Sequence, residues 1–439
     1  MRCSILAGVP APNDDLDLQL LWLHAAEENG LYNLTPRLLG EYWMDHVIGP
    51  WKEYSICRFN MVNGLYPPLS GSCNNDQWKF SNGAWIRSEI WACLAPGNPA
   101  LAAKYAFEDA IVDHADEGMQ AEIFCAALQS AAFVESDPYK LIDIALSYVP
   151  EDGKFAAAIH AALRAKEEGV SFREAVARIH NAAPGTFGVQ GCTYAEAKKA
   201  SEAMGFASVG EPGMDAPENV GFLIAAWLYG NDFGERLTLA NSAGEDTDCT
   251  CATLGAILGI IGGVNGIPEK WKAPIGDKIV TMCINKTWGG VWVPQTCTEL
   301  ADRVLRVTPG FLGTEKCDLL APGGYTIQCQ ENLYCLDESD YQPRINGSGK
   351  DHHLPIRKLT ALSSNVIRAE YPNFEVIVDL EGEPFFAQGE NRSFHVSVRN
   401  CFEMRRQAEI TRRLVEEWGF APEDVLTRPD GFLKGAGVQ

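Results

Sequence analysis

Two short acidic runs could carry chemistry in this sequence of 439 residues. Asn13-Asp14-Asp15-Leu16-Asp17 stands directly before a Leu-rich stretch. Gly244-Glu245-Asp246-Thr247-Asp248-Cys249 stands directly before a Gly- and Ala-rich one. Each places carboxylates at the expected N-terminus of a helix, where free N–H groups and the helix dipole favour negative charge. One acidic cap at a helix start is ordinary and needs no function. Each run, however, offers two or three carboxylates, which repel one another unless a cation sits between them. Hard oxygen donors from two helix starts would suit Mg2+ or Mn2+, with water completing the shell.

Other candidates are weaker. A lone histidine on a helix, such as His114, is more often a satisfied core or surface residue, and His352-His353 lies in a polar connector. Gly262-Gly-Val-Asn-Gly266 follows a helical stretch and lacks the Lys-Ser/Thr of a phosphate loop, so it reads as a helix end. Trp288-Gly-Gly-Val-Trp-Val reads as packing. The sequence has no Gly-x-Ser-x-Gly, which argues against an α/β-hydrolase. None of the 14 cysteines forms a Cys-x-x-Cys pair or a Cys/His cluster with zinc spacing. In a chain this long, that pattern points to reduced thiols and a cytoplasmic location.

Charge narrows the partners. Lys and Arg number 36 against 58 Asp and Glu, a formal net charge of −22. A surface so acidic disfavours non-specific nucleic acid and anionic membranes, both of which require cationic patches. No apolar run is read as reaching the roughly 18 residues that span a bilayer. The share of hydrophobic residues, 46%, is ample for a buried core.

The elements that must position the acidic runs are mostly helices. Leu16, Leu20, Leu23 and Ala26 recur at helical spacing, with Gly30 as a stop. Ala100–Ala110, Met119–Val134, Pro138–Ser147, Lys154–Glu168, Ser171–Ala182, Val220–Tyr229, Asp232–Ala240 and Thr247–Ile261 continue the series. Residues 311–352 are rich in Gly, Pro, Asn and Asp and read as a connector. Beyond it, Val366–Glu370, Phe374–Leu380 and Phe394–Arg399 alternate with period two, as strands of a small sandwich would. The expected organisation is mainly α: an all-α domain over 1–310, a connector over 311–352, and a β-rich, sandwich-like C-terminal domain over 353–439.

A resemblance sharpens the reading. Asn241-Ser-Ala-Gly-Glu-Asp-Thr-Asp-Cys-Thr, Leu254-Gly-Ala-Ile-Leu-Gly and Ile267-Pro-Glu-Lys-Trp271 resemble the signature of the ADP-ribosylglycohydrolase family, in which Gly-x-Asp-Thr-Asp opens a helix ending near Ile-Pro-x-x-Trp. Asn13-Asp14-Asp15 is similar to the family's Thr-Asp-Asp. Ser81-Asn82-Gly83-Ala84-Trp85-Ile86-Arg87 is similar to its Gly-Asn-Gly-Ala-x-x-Arg. Asp109-Ala110-Ile111-Val112-Asp113-His114, with Gly118 shortly after, is similar to its Asp-Ala-x-x-x-His helix. The matches are ordered and run from about residue 12 to residue 310.

The resemblance implies an orthogonal helical bundle holding two Mg2+ or Mn2+ ions, with Asp14 and Asp15 on one side and Asp246 and Asp248 on the other. Asn13 and Cys249 would complete the ligand set, and Asp15 and Asp246 would serve in catalysis. Asn82, Gly83, Ala84, His114 and Gly118 would meet the substrate, a small-molecule or protein-linked ADP-ribosyl group whose N- or O-glycosidic bond is hydrolysed. The sequence also departs from the pattern. Cys249 stands where a Thr or Ser commonly supplies a hydroxyl, so that ligand is missing, replaced by backbone or water, or tuned differently. Glu245 replaces a frequent Gly and is a ligand, a proton shuttle or simply exposed. The chain starts near the family's second motif, so a helical domain without the family's first helix and its acidic residue is expected, and the β-rich domain is expected to be cut short. Two alternatives keep the scaffold: action on a different glycoside or sugar conjugate, or a catalytically silent binding protein.

Overall fold

The computed structural model describes residues 10–30, 34–49, 52–183, 199, 203, 215–287, 289–313, 316–321, 324–335, 360, 365–371, 374–382, 384–385, 387–400, 426–427 and 432–434. The His352-His353 pair and Trp288 lie outside them.

Side-chain caps start many of the helices. Asn13 caps α1 (Asp14–Asn29), and Gly30, at φ 67°, closes it. Thr35 followed by a proline starts α2 (Pro36–His46), and α3 (Lys52–Val62) and α4 (Leu69–Ser72) come next. A single 3-10 turn, Trp85–Arg87, leads into α5 (Glu89–Leu94). The Ala-rich segments then form α6 (Pro99–Ala110), α7 (Asp116–Ala131), α8 (Pro138–Leu146), α9 (Lys154–Glu167) and α10 (Phe172–Ala182). Asp137 and Ser171 cap α8 and α10 through their side chains. Past residue 215 come α11 (Ala216–Tyr229), α12 (Phe233–Ala243), α13 (Thr247–Gly266), α14 (Glu269–Lys272) and α15 (Cys297–Leu312).

These helices share one core. Ala102, Ala103, Ala106 and Ala110 of α6 and Ala121, Ala126, Ala127 and Ala131 of α7 are all buried. Such small side chains let α6 pack closely on α7, as α9 packs on α11. Trp91, Tyr105 and Phe311 form an aromatic cluster with centroids 4.8–6.4 Å apart, tying α15 to α5 and α6. Arg303 of α15 also pairs with Glu27 of α1, Nε to Oε1 at 2.9 Å.

The chain divides into two compact units, Met1–Tyr334 and Cys335–Gln439. The first therefore extends beyond the expected helical domain. Its last stretch is a two-stranded antiparallel pairing of β1 (Cys317–Asp318) with β2 (Thr326–Ile327), and Gln330 N donates to Gly97 O at 2.8 Å. Among its described residues the second unit holds an antiparallel sheet of five strands in the order β3-β4-β5-β7-β6. They are β3 (Val366–Tyr371), β4 (Phe374–Asp379), β5 (His395–Asn400), β6 (Leu426–Thr427) and β7 (Phe432–Lys434). Register pairs Ile367 with Val378 and Val376 with Val398, so the alternating apolar residues stack on one face.

One expectation requires correction. α13 is 20 residues long with a mean hydropathy of 1.5, enough by length and composition to cross a membrane. Thr, Gly and Asn interrupt the stretch, so it does not read as an unbroken apolar run. The helix breaks at Gly263, where φ is 62°. It buries Cys249, Thr250, Thr253, Leu254, Ile257 and Leu258.

Candidate metal centre

The two acidic runs meet. Asn13 is extended, at φ −143°, and its Oδ1 accepts from the backbone N of Asp15 at 3.0 Å. Its Nδ2 donates to Asp248 Oδ2 at 3.2 Å, across to the start of α13. One asparagine thus caps the first helix and links it to the second. The turn before α13 depends on two left-handed residues, Gly244 at φ 94° and Glu245 at φ 55°. A non-glycine residue there costs roughly 1–2 kcal/mol, a strain this chain carries at Glu245. Asn219 of α11 pins the turn, its Oδ1 accepting from Asp246 N at 3.1 Å.

Each carboxylate is held differently. Tyr54 donates its hydroxyl to Asp14 Oδ2 at 2.8 Å. Asn82 donates Nδ2 to Asp246 Oδ2 at 2.8 Å, while its Oδ1 accepts from Trp85 Nε1 at 2.8 Å. Asp15 is buried, and its Oδ2 has no hydrogen-bond partner. The Cys249 thiol lies 3.9 Å from Asp15 Oδ1. One ligand atom each from Asp15, Asp248 and Cys249 lies within 4.8 Å of the others.

The electrostatics are those of a site that lacks positive charge. Burial first, then the charges of Asp14, Asp248, Glu89 and Asp246, pushes the Asp15 carboxyl well above the usual carboxylate range. Burial and repulsion by Asp248 lift Asp246 to about 7. Burial also raises Asp14, against the Tyr54 hydrogen bond that lowers it. The Cys249 thiol is driven far up by burial and then by Asp15, Asp246 and Asp248. An orphaned buried carboxylate oxygen among mutually repelling acids fits a divalent cation, whose charge would reverse every one of these penalties.

The remaining residues of the motifs surround this centre. Gly83 is packed so tightly that a Cβ would lie 3.0 Å from both His114 Cε1 and Tyr54 Cε1. Ala84 is fully buried. His114 is 0% exposed, its Nε2 3.0 Å from Ser81 Oγ and its Nδ1 2.9 Å from Asp113 Oδ1. At Gly118 a Cβ would fall 2.5 Å from the carbonyl oxygen of Lys79. His114 therefore braces the 81–87 segment from within the core, and Gly118 lets α7 close on the backbone of Lys79 and Phe80 just before it. Asp17 is committed elsewhere, its Oδ2 accepting from Met282 N and Cys283 N, both at 2.6 Å. Glu245 is half-buried beside the centre.

Beneath the segment lies Arg87, 0% exposed. Its Nε donates to Asp109 Oδ1 at 2.9 Å, its Nη2 to Asp113 Oδ1 at 2.6 Å, and its Nη1 to Gly83 O at 2.8 Å. Burial opposes ionisation of Asp113, but Arg87 and His114 hold it down to about 2. Burial and Asp109 push Glu122 well above the usual range.

Sequence reasoning missed Tyr54, Asn219 and Glu89. Tyr54 belongs to α3, a helix without a clear apolar stripe. Asn219 sits just before an apolar run. Glu89 had a usable signal, as a carboxylate between Ile86 and Ile90-Trp91 directly after the Asn-Gly-Ala-x-x-Arg segment. Burial lifts it to about 7, against hydrogen bonds from Thr253 and Gln129.

The family model described as ADP-ribosylglycohydrolase matches residues 4–310. A solved structure described as an ADP-ribosylglycohydrolase-related protein complex is 19% identical, covering 68% of this chain and 80% of its own, with a TM-score of 0.41. No curated protein matches the chain.

Proposed function

The chain belongs to the ADP-ribosylglycohydrolase family, and on that premise we propose that it is a divalent-metal-dependent hydrolase. Its reaction would be cleavage of an N- or O-glycosidic bond to an ADP-ribosyl or related ribosyl group. The observation that carries this is the meeting of Asp14 and Asp15 with Asp246 and Asp248, where Asp15 Oδ2 is buried without a partner.

These four aspartates would hold Mg2+ or Mn2+, two ions by the family pattern, with Asn13 and Cys249 at the edge of the set. A bound metal would supply Lewis-acid polarisation of ribose hydroxyls and a more acidic water. The protein's own part is to fix the carboxylates and handle the proton. Tyr54, Asn82 and Asn13 each occupy one oxygen of Asp14, Asp246 and Asp248, so their rotamers are set before any ligand arrives. Asp15, whose buried Oδ2 has no protein partner, would take a proton from the attacking water. Asp246 would be the second catalytic carboxylate, its Oδ2 held by Asn82. Asn82, Gly83 and Ala84 would present the 81–87 segment to sugar or phosphate, with His114 and Gly118 fixing its position. A cytoplasmic location is part of the same reading.

The test is release of free ADP-ribose from arginine-, serine- or O-acetyl-linked substrates with Mg2+ or Mn2+, by wild type and by Asp246→Asn with Asp248→Asn. Metal-dependent release lost in the variant is expected. Metal binding without any such release would favour the second reading, a different glycoside as substrate. The thiol of Cys249 beside Asp15 is the observation that supports that reading.

A further inference from the structure

Glu89 opens α5 two residues after Arg87 and is 9% exposed. Its carboxylate receives three donors from three helices. Gln19 Nε2 of α1 donates to Oε2 at 3.2 Å, Thr253 Oγ1 of α13 to Oε1 at 2.7 Å, and Gln129 Nε2 of α7 to Oε1 at 3.4 Å. Two of these donors sit at telling places. Gln19 follows Asp15 by four residues and Thr253 follows Cys249 by four, so each lies one helical turn beneath a member of the acidic cluster, on the same face.

The two helices that bring the aspartates together are therefore joined a turn below them by one carboxylate. Above that level, repulsion among Asp14, Asp15, Asp246 and Asp248 works to part α1 from α13. Gln19 Nε2 also lies 3.4 Å from Ile86 O, so the same group registers the 81–87 segment against α1. The chemistry of the position calls for an acid. Three facing groups all donate, and an ionised carboxylate accepts at both oxygens, whereas a glutamine would turn an N–H towards one of them.

We propose that Glu89 is a positioning residue that fixes the spacing of α1 and α13 and so presets the acidic cluster for its cation. The inference rests on the metal-dependent reading above and extends it to a residue that touches neither metal ligand nor substrate in that scheme. Loss of a group that hydrogen-bonds a metal ligand typically changes metal binding about 10–100-fold, and Glu89, acting on both ligand-bearing helices at once, is expected to fall in that range.

The experiment is Mn2+ titration of the full-length chain at pH 8, followed by the electron paramagnetic resonance signal of free Mn2+. The variants are Glu89→Gln, Gln19→Met, Thr253→Val and the Gln19→Met/Thr253→Val double. Thermal melting of each metal-free variant is read alongside. Glu89→Gln keeps the volume, and the other two singles leave Glu89 in place, so folded protein is available even if one variant fails. Each single is expected to raise Kd about 10–100-fold, and the double by no more than about its stronger single, because either cut already frees one helix. Folded single variants with Kd within about twofold of wild type would overturn the proposal while leaving the metal reading intact, as would a double whose loss is the product of the singles. A wild-type chain that binds no Mn2+ overturns the metal reading, and this proposal with it.

Discussion

The thiol of Cys249 lies 3.9 Å from Oδ1 of Asp15, which places a sulfur inside a set of oxygen donors contributed by two helix starts. Oxygen donors favour hard cations and thiolates favour soft ones, so the centre mixes preferences. Burial and the surrounding aspartates keep the thiol protonated in the metal-free chain, so a soft metal must displace that proton to use the sulfur.

Cys249→Ser should therefore shift metal preference. Stabilisation by Mg2+ should grow and stabilisation by Cd2+ should shrink, each by about tenfold in Kd or about 1.4 kcal/mol. Calorimetric titration with both ions gives the comparison. An unchanged ratio of the two affinities would show that the sulfur lies outside the ligand set.

Asp246→Asn should act in opposite directions with and without metal. At a concentration 100 times Kd, a bound ion stabilises the wild type by about 2.7 kcal/mol, and the variant should lose most of this. In EDTA the variant should melt no lower than wild type, because an amide still accepts from Asn82 and removes a charge repelled by Asp248. Melting curves in Mn2+ and in EDTA decide it. A large loss in EDTA alone would make Asp246 a structural cap.

The same acids set the pH dependence of the metal-free chain. Asp246 and Glu89 are both lifted to about 7 from ordinary values of 3.8 and 4.5, and Asp15 is raised as well. Between those limits the folded chain binds more protons than the unfolded one, so stability falls as pH rises from about 4 to about 7 and then levels. Asp113, held down to about 2, contributes in the other sense, and its share is lost only below about pH 4. Urea unfolding in EDTA should show greater stability at pH 5 than at pH 8, and saturating Mn2+ should remove or reverse the difference. Equal stability at both values in EDTA would mean that the cluster is neutralised by the protein itself.

Much of this was legible in the residues. The Leu spacing after Asp15 and the Ala-rich segments marked α1 and α6–α10 because apolar period and caps agreed there. The two acidic runs pointed to each other because redundant carboxylates at helix starts need a cation. What stayed hidden depends on the tertiary fold. α15 was not among the helices named from the sequence, and Phe311 shows why the helical unit runs past residue 310: it stacks on Trp91 and meets Tyr105 at a tilt, contacts that no local pattern announces. Tyr54 was invisible for the same reason, since its value lies in a hydrogen bond to Asp14 from a helix without a clear stripe. The departure at Glu245 became interpretable only with its φ of 55°.

Arg87 offers the sharpest test of how the 81–87 segment is held. Its guanidinium is fully buried between Asp109 and Asp113 and also donates to Gly83 O. Arg87→Met keeps an apolar stem but leaves two buried carboxylates without their cation, at a cost of about 3–5 kcal/mol. That is a large part of the 5–15 kcal/mol typical of a folded domain, so the variant should unfold at much lower urea. If unpaired charge is the cause, adding Asp113→Asn to Arg87→Met should recover part of the loss, because one uncompensated charge is gone. If lost packing against Trp22 and Trp43 is the cause, their rings 5.9 and 5.1 Å from the guanidinium, the second substitution should recover nothing. Urea midpoints for wild type, both singles and the double separate the two, and a recovered midpoint places the buried ion pairs at the base of the site.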